Sequence, residues 1–79
     1  MKEMQQIDLH GLRHKPALLL VKKKLDELVK QGSFSLTIIT GNSTVLQEQI
    51  FEEFLYPSDF NYYIPSWNLG QIIVEKVRL

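Results

Sequence analysis

The sequence predicts an α/β chain, more narrowly an α+β two-layer sandwich: two helices on one face of a four-stranded mixed sheet, in the order β-α-β-α-β-β. Three observations predict it. Four short stretches alternate apolar with polar residues or gather β-branched ones, as strands do. Two intervening segments repeat apolar residues every three or four positions, as helices with one buried side do. All four glycines and all three prolines fall at the junctions between these segments.

The elements follow in order. Residues 6–10 alternate, with Ile7 and Leu9 on one side and Asp8 and His10 on the other, and Gly11 ends the run. Pro16 suits the first turn of a helix. Over residues 17–31 Ala17, Leu18, Val21, Leu25, Leu28 and Val29 form one apolar stripe, which Leu19 and Leu20 widen, and Gly32 closes the helix. Residues 34–40 read as a buried strand and residues 40–44 as a polar loop. A second helix is expected over 45–56, with Thr44 and Gln47 as a capping box and Pro57 as its stop. Residues 59–64 alternate as a half-exposed strand that Pro65 assigns to a sheet edge. The last strand, 71–79, holds Ile72, Ile73 and Val74 together, which suggests burial on both faces and a central place. Residues 1–79 form one domain, with 1–5 as an N-terminal tail.

Composition narrows the function classes. The chain has 79 residues and no cysteine, which excludes disulfides, zinc-thiolate sites and thiol nucleophiles. Its longest apolar run, residues 17–21, is far shorter than the ~20 residues of a membrane span. No membrane association is expected, and the beginning of the chain lacks the pattern of a signal peptide, so the expected compartment is cytoplasmic. Nine basic and nine acidic residues cancel, but unevenly along the chain. Residues 1–32 hold seven basic and four acidic groups, and residues 33–79 hold two and five. A polarised chain permits a basic face that attracts phosphate.

Two constellations have chemical potential. In Asp8-Leu9-His10-Gly11 the carboxylate and imidazole share a side at the C-terminal end of a parallel strand, where open α/β sheets place ligands. Such a carboxylate can orient or activate the ring, or hold a divalent cation. The alternative is a surface aspartate with a histidine capping the loop. Thr40-Gly41-Asn42-Ser43-Thr44 enters a helix N-terminus, where free N–H groups, hydroxyls and an amide favour an anion. The alternative is ordinary capping. Both loops are expected to leave the same end of adjacent strands and so to share one cleft. Arg13, His14 and Lys15 can reach backbone phosphates from the first loop, or simply face solvent. Trp67, in the last loop, can stack on an unpaired base or pack over the sheet end.

Ile7-Asp8-Leu9-His10-Gly11-Leu12 resembles the L-D-L-H-G opening of the Smr (small MutS-related) domain family. The resemblance runs on through the helix, through Ile38-Ile39-Thr40-Gly41 where the family carries an H-G-x-G loop, and to a final apolar strand after a glycine. It covers residues 6–79. It implies a fold similar to the C-terminal domain of the third bacterial translation initiation factor. It also implies nicking endonuclease activity on DNA, or on RNA in some members, often with a divalent cation such as Mg or Mn. Asp8 and His10 match the acidic and histidine positions of the opening, with Asp8 as the metal candidate. Gly41 matches the first glycine of the second motif, and Gly11, Arg13, His14, Lys15, Thr40, Asn42 and Ser43 complete the expected phosphate-binding set.

Thr40 stands where many members have a histidine, and Ser43 stands for the next glycine. Threonine does not exchange protons near neutral pH, so a two-histidine mechanism is not open to this chain. Two readings follow: a nicking endonuclease, or a catalytically weak or inactive module that binds nucleic acid or another protein. A partner protein or a homodimer is expected with either, because a neutral surface offers little affinity for nucleic acid.

Overall fold

The computed structural model describes residues 3–77; two residues of the expected tail and the last two of the expected final strand lie outside the described residues. The elements are β1 (Glu3–Asp8), α1 (His14–Gln31), β2 (Phe34–Ile39), α2 (Thr44–Ile50) continued by a π-helical segment (Phe51–Leu55), β3 (Asn61–Tyr63) and β4 (Gln71–Lys76). Residues 3–5, expected as tail, extend β1 instead. The extension is possible because β1 pairs with β2 along its whole length, from Glu3 opposite Phe34 to Asp8 opposite Ile39.

The strands lie in the order β1-β2-β4-β3, with β1 and β2 parallel and the other pairs antiparallel. This is the predicted mixed sheet, with the Pro65-flanked strand at the edge. Leu36, Ile38, Ile72 and Val74 stack in register on the face that meets the helices, against Ala17, Val21, Leu25 and Leu28 of α1 and Leu46, Ile50 and Leu55 of the second helix. β4 is central, yet it is not buried on both sides: Ile73 is half-buried, opposite half-buried Thr37, on the uncovered face. The reason is that both helices pack on one side, so the second face has no layer over it.

The first helix starts at His14, so Pro16 lies in its first turn as the sequence predicts, where a missing N–H removes no helical bond. Ser43, not Thr44, caps α2: its hydroxyl accepts the Leu46 N–H at 3.2 Å. Gln47 is therefore no capping-box partner and is buried instead. Widening of the second helix follows from its apolar spacing. Buried Leu46 and Ile50 lie four residues apart, but Leu55 lies five beyond Ile50. The Tyr56 N–H donating to the Phe51 carbonyl at 2.7 Å inserts the extra residue that turns Leu55 inward while Glu52 and Glu53 stay exposed.

Candidate functional site

The register lines up Asp8, Ile39 and Gln71 across three adjacent strands. The two loops that follow β1 and β2, and the loop that precedes β4, therefore gather at one end of the sheet. Each is held by different means.

The first loop is anchored by Leu9, which is buried and donates its N–H to the Ile39 carbonyl at 2.8 Å. Leu12 N–H returns to the Leu9 carbonyl at 3.0 Å, closing a turn that needs Gly11 at φ 83°. Asp8 Oδ1 accepts the backbone N–H of His10 at 3.0 Å. The carboxylate thus braces the turn rather than the ring, and both Asp8 and His10 remain exposed.

The second loop turns inward. Thr40 is buried; its hydroxyl lies 3.1 Å from the Gly41 and Gly70 carbonyl oxygens, to which it donates, and accepts from Gln47 Nε2 at 2.9 Å. Gln47 Nε2 also donates to the Leu69 carbonyl at 2.8 Å. The Thr40 and Gly41 amides both donate to the Gly70 carbonyl, at 2.9 and 3.0 Å. This corrects the expectation for Thr40 and for the Gly41 amide: their hydrogen-bonding groups already serve the fold. Asn42 is exposed, Ser43 accepts the Leu46 N–H, and no bond within the loop engages the amides of Thr44 and Val45 at the head of α2.

The third loop, 66–70, is tied to the second. Besides those bonds, the Gly70 N–H donates to Asn68 Oδ1 at 3.0 Å and the Asn68 N–H to the carbonyl of buried Pro65 at 3.2 Å. A side chain at Gly70 would begin 3.2 Å from the Gly41 carbonyl oxygen, so any other residue there would push the two backbones apart by a few tenths of an ångström. A Cβ built on Gly41 would lie 3.8 Å from His10 Cδ2. The imidazole therefore sits directly over the Gly41 turn.

The structure brings the His10 ring against Gly41, which is half-buried, while Asp8, Gly11 and Asn42 are exposed on the same two loops. Arg13, His14 and Lys15 are exposed at the start of α1, immediately after the first loop. Gln47 and Gly70 were missed as site residues by sequence reasoning. Gln47 was legible only as a cap, and Gly70 only as a turn. Among the described residues no three His, Asp or Glu side chains cluster to hold a metal ion. One carboxylate beside one imidazole does not make a resident metal centre, and Asp8 already spends one oxygen on the His10 amide.

Fold and site together define a small α+β domain with a polar, histidine-bearing end to its sheet. The chain belongs to the Smr domain family, whose model matches residues 7–57. That family is associated with nucleic-acid binding and nicking endonuclease activity. No curated protein and no solved structure gives a significant match to the chain. No helix among the described residues is long and apolar enough to cross a membrane.

Proposed function

We propose that this domain binds nucleic acid at the loop end of its sheet and nicks it by phosphodiester hydrolysis, with His10 as the catalytic base. The observation that carries this reading is the 3.8 Å approach of the His10 ring to the Cβ position of Gly41. A phosphate resting on the second loop lies within reach of the imidazole. Arg13 and Lys15 attract the backbone from the side, and the amides at the head of α2 add donors toward the phosphate oxygens.

In the reaction, His10 takes a proton from water. The hydroxide forms a bond to phosphorus while the ester oxygen opposite leaves with its electron pair. Asp8 is a positioning residue, since its bond to the His10 backbone sets where the ring stands. With Thr40 buried in place of a second imidazole, the leaving oxygen takes its proton from solvent. A hydrated Mg or Mn ion would be recruited by the free Asp8 oxygen together with the substrate phosphate, not held beforehand.

A second reading, binding without cleavage, is favoured by that engagement of the Thr40 hydroxyl in the fold. Relaxation of supercoiled plasmid separates the two, measured with Mg, Mn or chelator for wild type, Asp8→Ala and His10→Ala. The nuclease reading expects loss with His10→Ala and a smaller loss with Asp8→Ala. Equal rates for all three proteins remove His10 from the chemistry. Retained binding with no relaxation by wild type leaves the binding module.

A further inference from the structure

We infer that Trp67 is a stacking platform that makes the site select an unpaired nucleobase next to the bound phosphate; this rests on the nucleic-acid reading above. Trp67 and Leu69 are 73% and 71% exposed, more than any other large apolar side chain among the described residues. Neither belongs to the stretch that the family model covers. A tryptophan left this far in water gives the fold almost no burial, so its place is not explained by packing.

The backbone beneath it, in contrast, is firmly held. Residues 65–70 carry the Asn68 turn, the Gln47 bond to the Leu69 carbonyl and two amide bonds to the Gly70 carbonyl. An exposed aromatic on a braced turn binds without the ordering entropy that a loose loop would lose. Position decides what it binds. Gly70 packs on Gly41, which lies under the His10 ring, and three Cα steps of about 3.8 Å separate Gly70 from Trp67. The Trp67 Cα therefore stands within about 11 Å of the Gly70 Cα, on the loop whose Gly70 packs against Gly41 at the His10 end of the sheet. Bases within a duplex present their edges and keep their faces stacked, whereas an unpaired base offers the face that an indole can take.

Trp67 is the chain's one tryptophan, so its emission reports on its own contacts. The full chain is titrated with a short single-stranded oligothymidylate, an abasic strand of equal length and a blunt duplex, following both tryptophan emission and the anisotropy of labelled strands. The expected result is quenching by the single strand and not by the abasic strand. Trp67→Ala should weaken single-strand binding roughly tenfold, Trp67→Phe should restore most of it, and duplex binding should change less than about twofold. Binding by anisotropy with no quenching and no effect of Trp67→Ala overturns the stacking role and leaves the His10–Gly41 site standing. Failure to bind any strand overturns that site and this inference with it. Emission that shifts with protein concentration alone assigns the indole to a second copy of the chain and overturns the inference.

Discussion

The two turns that leave β1 and β2 are neighbours with similar ingredients and opposite uses. Each carries a glycine at positive φ, 83° at Gly11 and 67° at Gly41, and each follows a strand of the same parallel pair. The first turn keeps its polar side chains, Asp8 and His10, in solvent, and uses only one carboxylate oxygen to shape itself. The second draws Thr40 inside and joins it through Gln47 to a third loop. The difference teaches where chemistry and scaffold are divided. The exposed histidine sits on the turn that is free, and the turn that carries buried Thr40 is the brace beside it.

That division is breakable by mutation. The largest effect expected is on rate: His10→Ala lowers plasmid nicking by about a hundredfold or more. The same change moves stability by less than about 0.5 kcal/mol, as an exposed side chain should, measured by denaturant unfolding. Gln47→Leu inverts the pattern. It strips the Thr40 hydroxyl and the Leu69 carbonyl of a buried donor and should lower stability by about 1–3 kcal/mol. If the two variants lose stability equally, the contrast between the turns is wrong. Gly70→Ala sharpens the comparison, because the new methyl meets the Gly41 backbone at 3.2–3.3 Å. The second turn must give way by a few tenths of an ångström, so oligonucleotide binding should fall more than thermal stability does.

The smallest effect lies outside the site. The Lys76 ammonium, 2.9 Å from Asp59, holds that carboxyl below the usual carboxylate range. A carboxyl depressed in the folded state supports stability above its unfolded value, and the support fades as pH falls through the folded one. Asp59→Asn should therefore change only the acid limb of a pH–stability curve, and only slightly, because the pair is exposed.

Much of this was legible in the sequence because it depends on local pattern. Apolar spacing and β-branched runs placed the helices and strands, and of the stripe Ala17, Leu18, Val21, Leu25, Leu28 and Val29 all but half-buried Leu18 and exposed Val29 form the buried side of α1. Asp8 and His10 were legible as a candidate pair, but His10 lies in the turn beyond β1, where strand alternation no longer sets the side of its ring. What stayed hidden is non-local. Gln47 reaches partners 7 residues before it and 22 residues after it, and no spacing rule connects them. Ser43 and Thr44 are both able caps, and which of them ends the helix depends on where the Thr40–Gly70 contact pins the chain. The Ile72-Ile73-Val74 run read as doubly buried because an isoleucine on an open sheet face looks like one in a core. The extra residue before Leu55 becomes legible once a five-residue apolar interval is recognised as a widened turn.

The convergence of the first two turns on one phosphate is tested most directly by nuclear magnetic resonance, titrating a short oligonucleotide against the full chain. The account predicts that the His10 ring signals and the Asn42, Thr44 and Val45 amides move together along one binding curve, and that His10→Ala weakens that curve without shifting the core methyls of Leu36 and Ile38. Movement confined to residues outside these turns, with the His10 ring unperturbed at saturation, would contradict it.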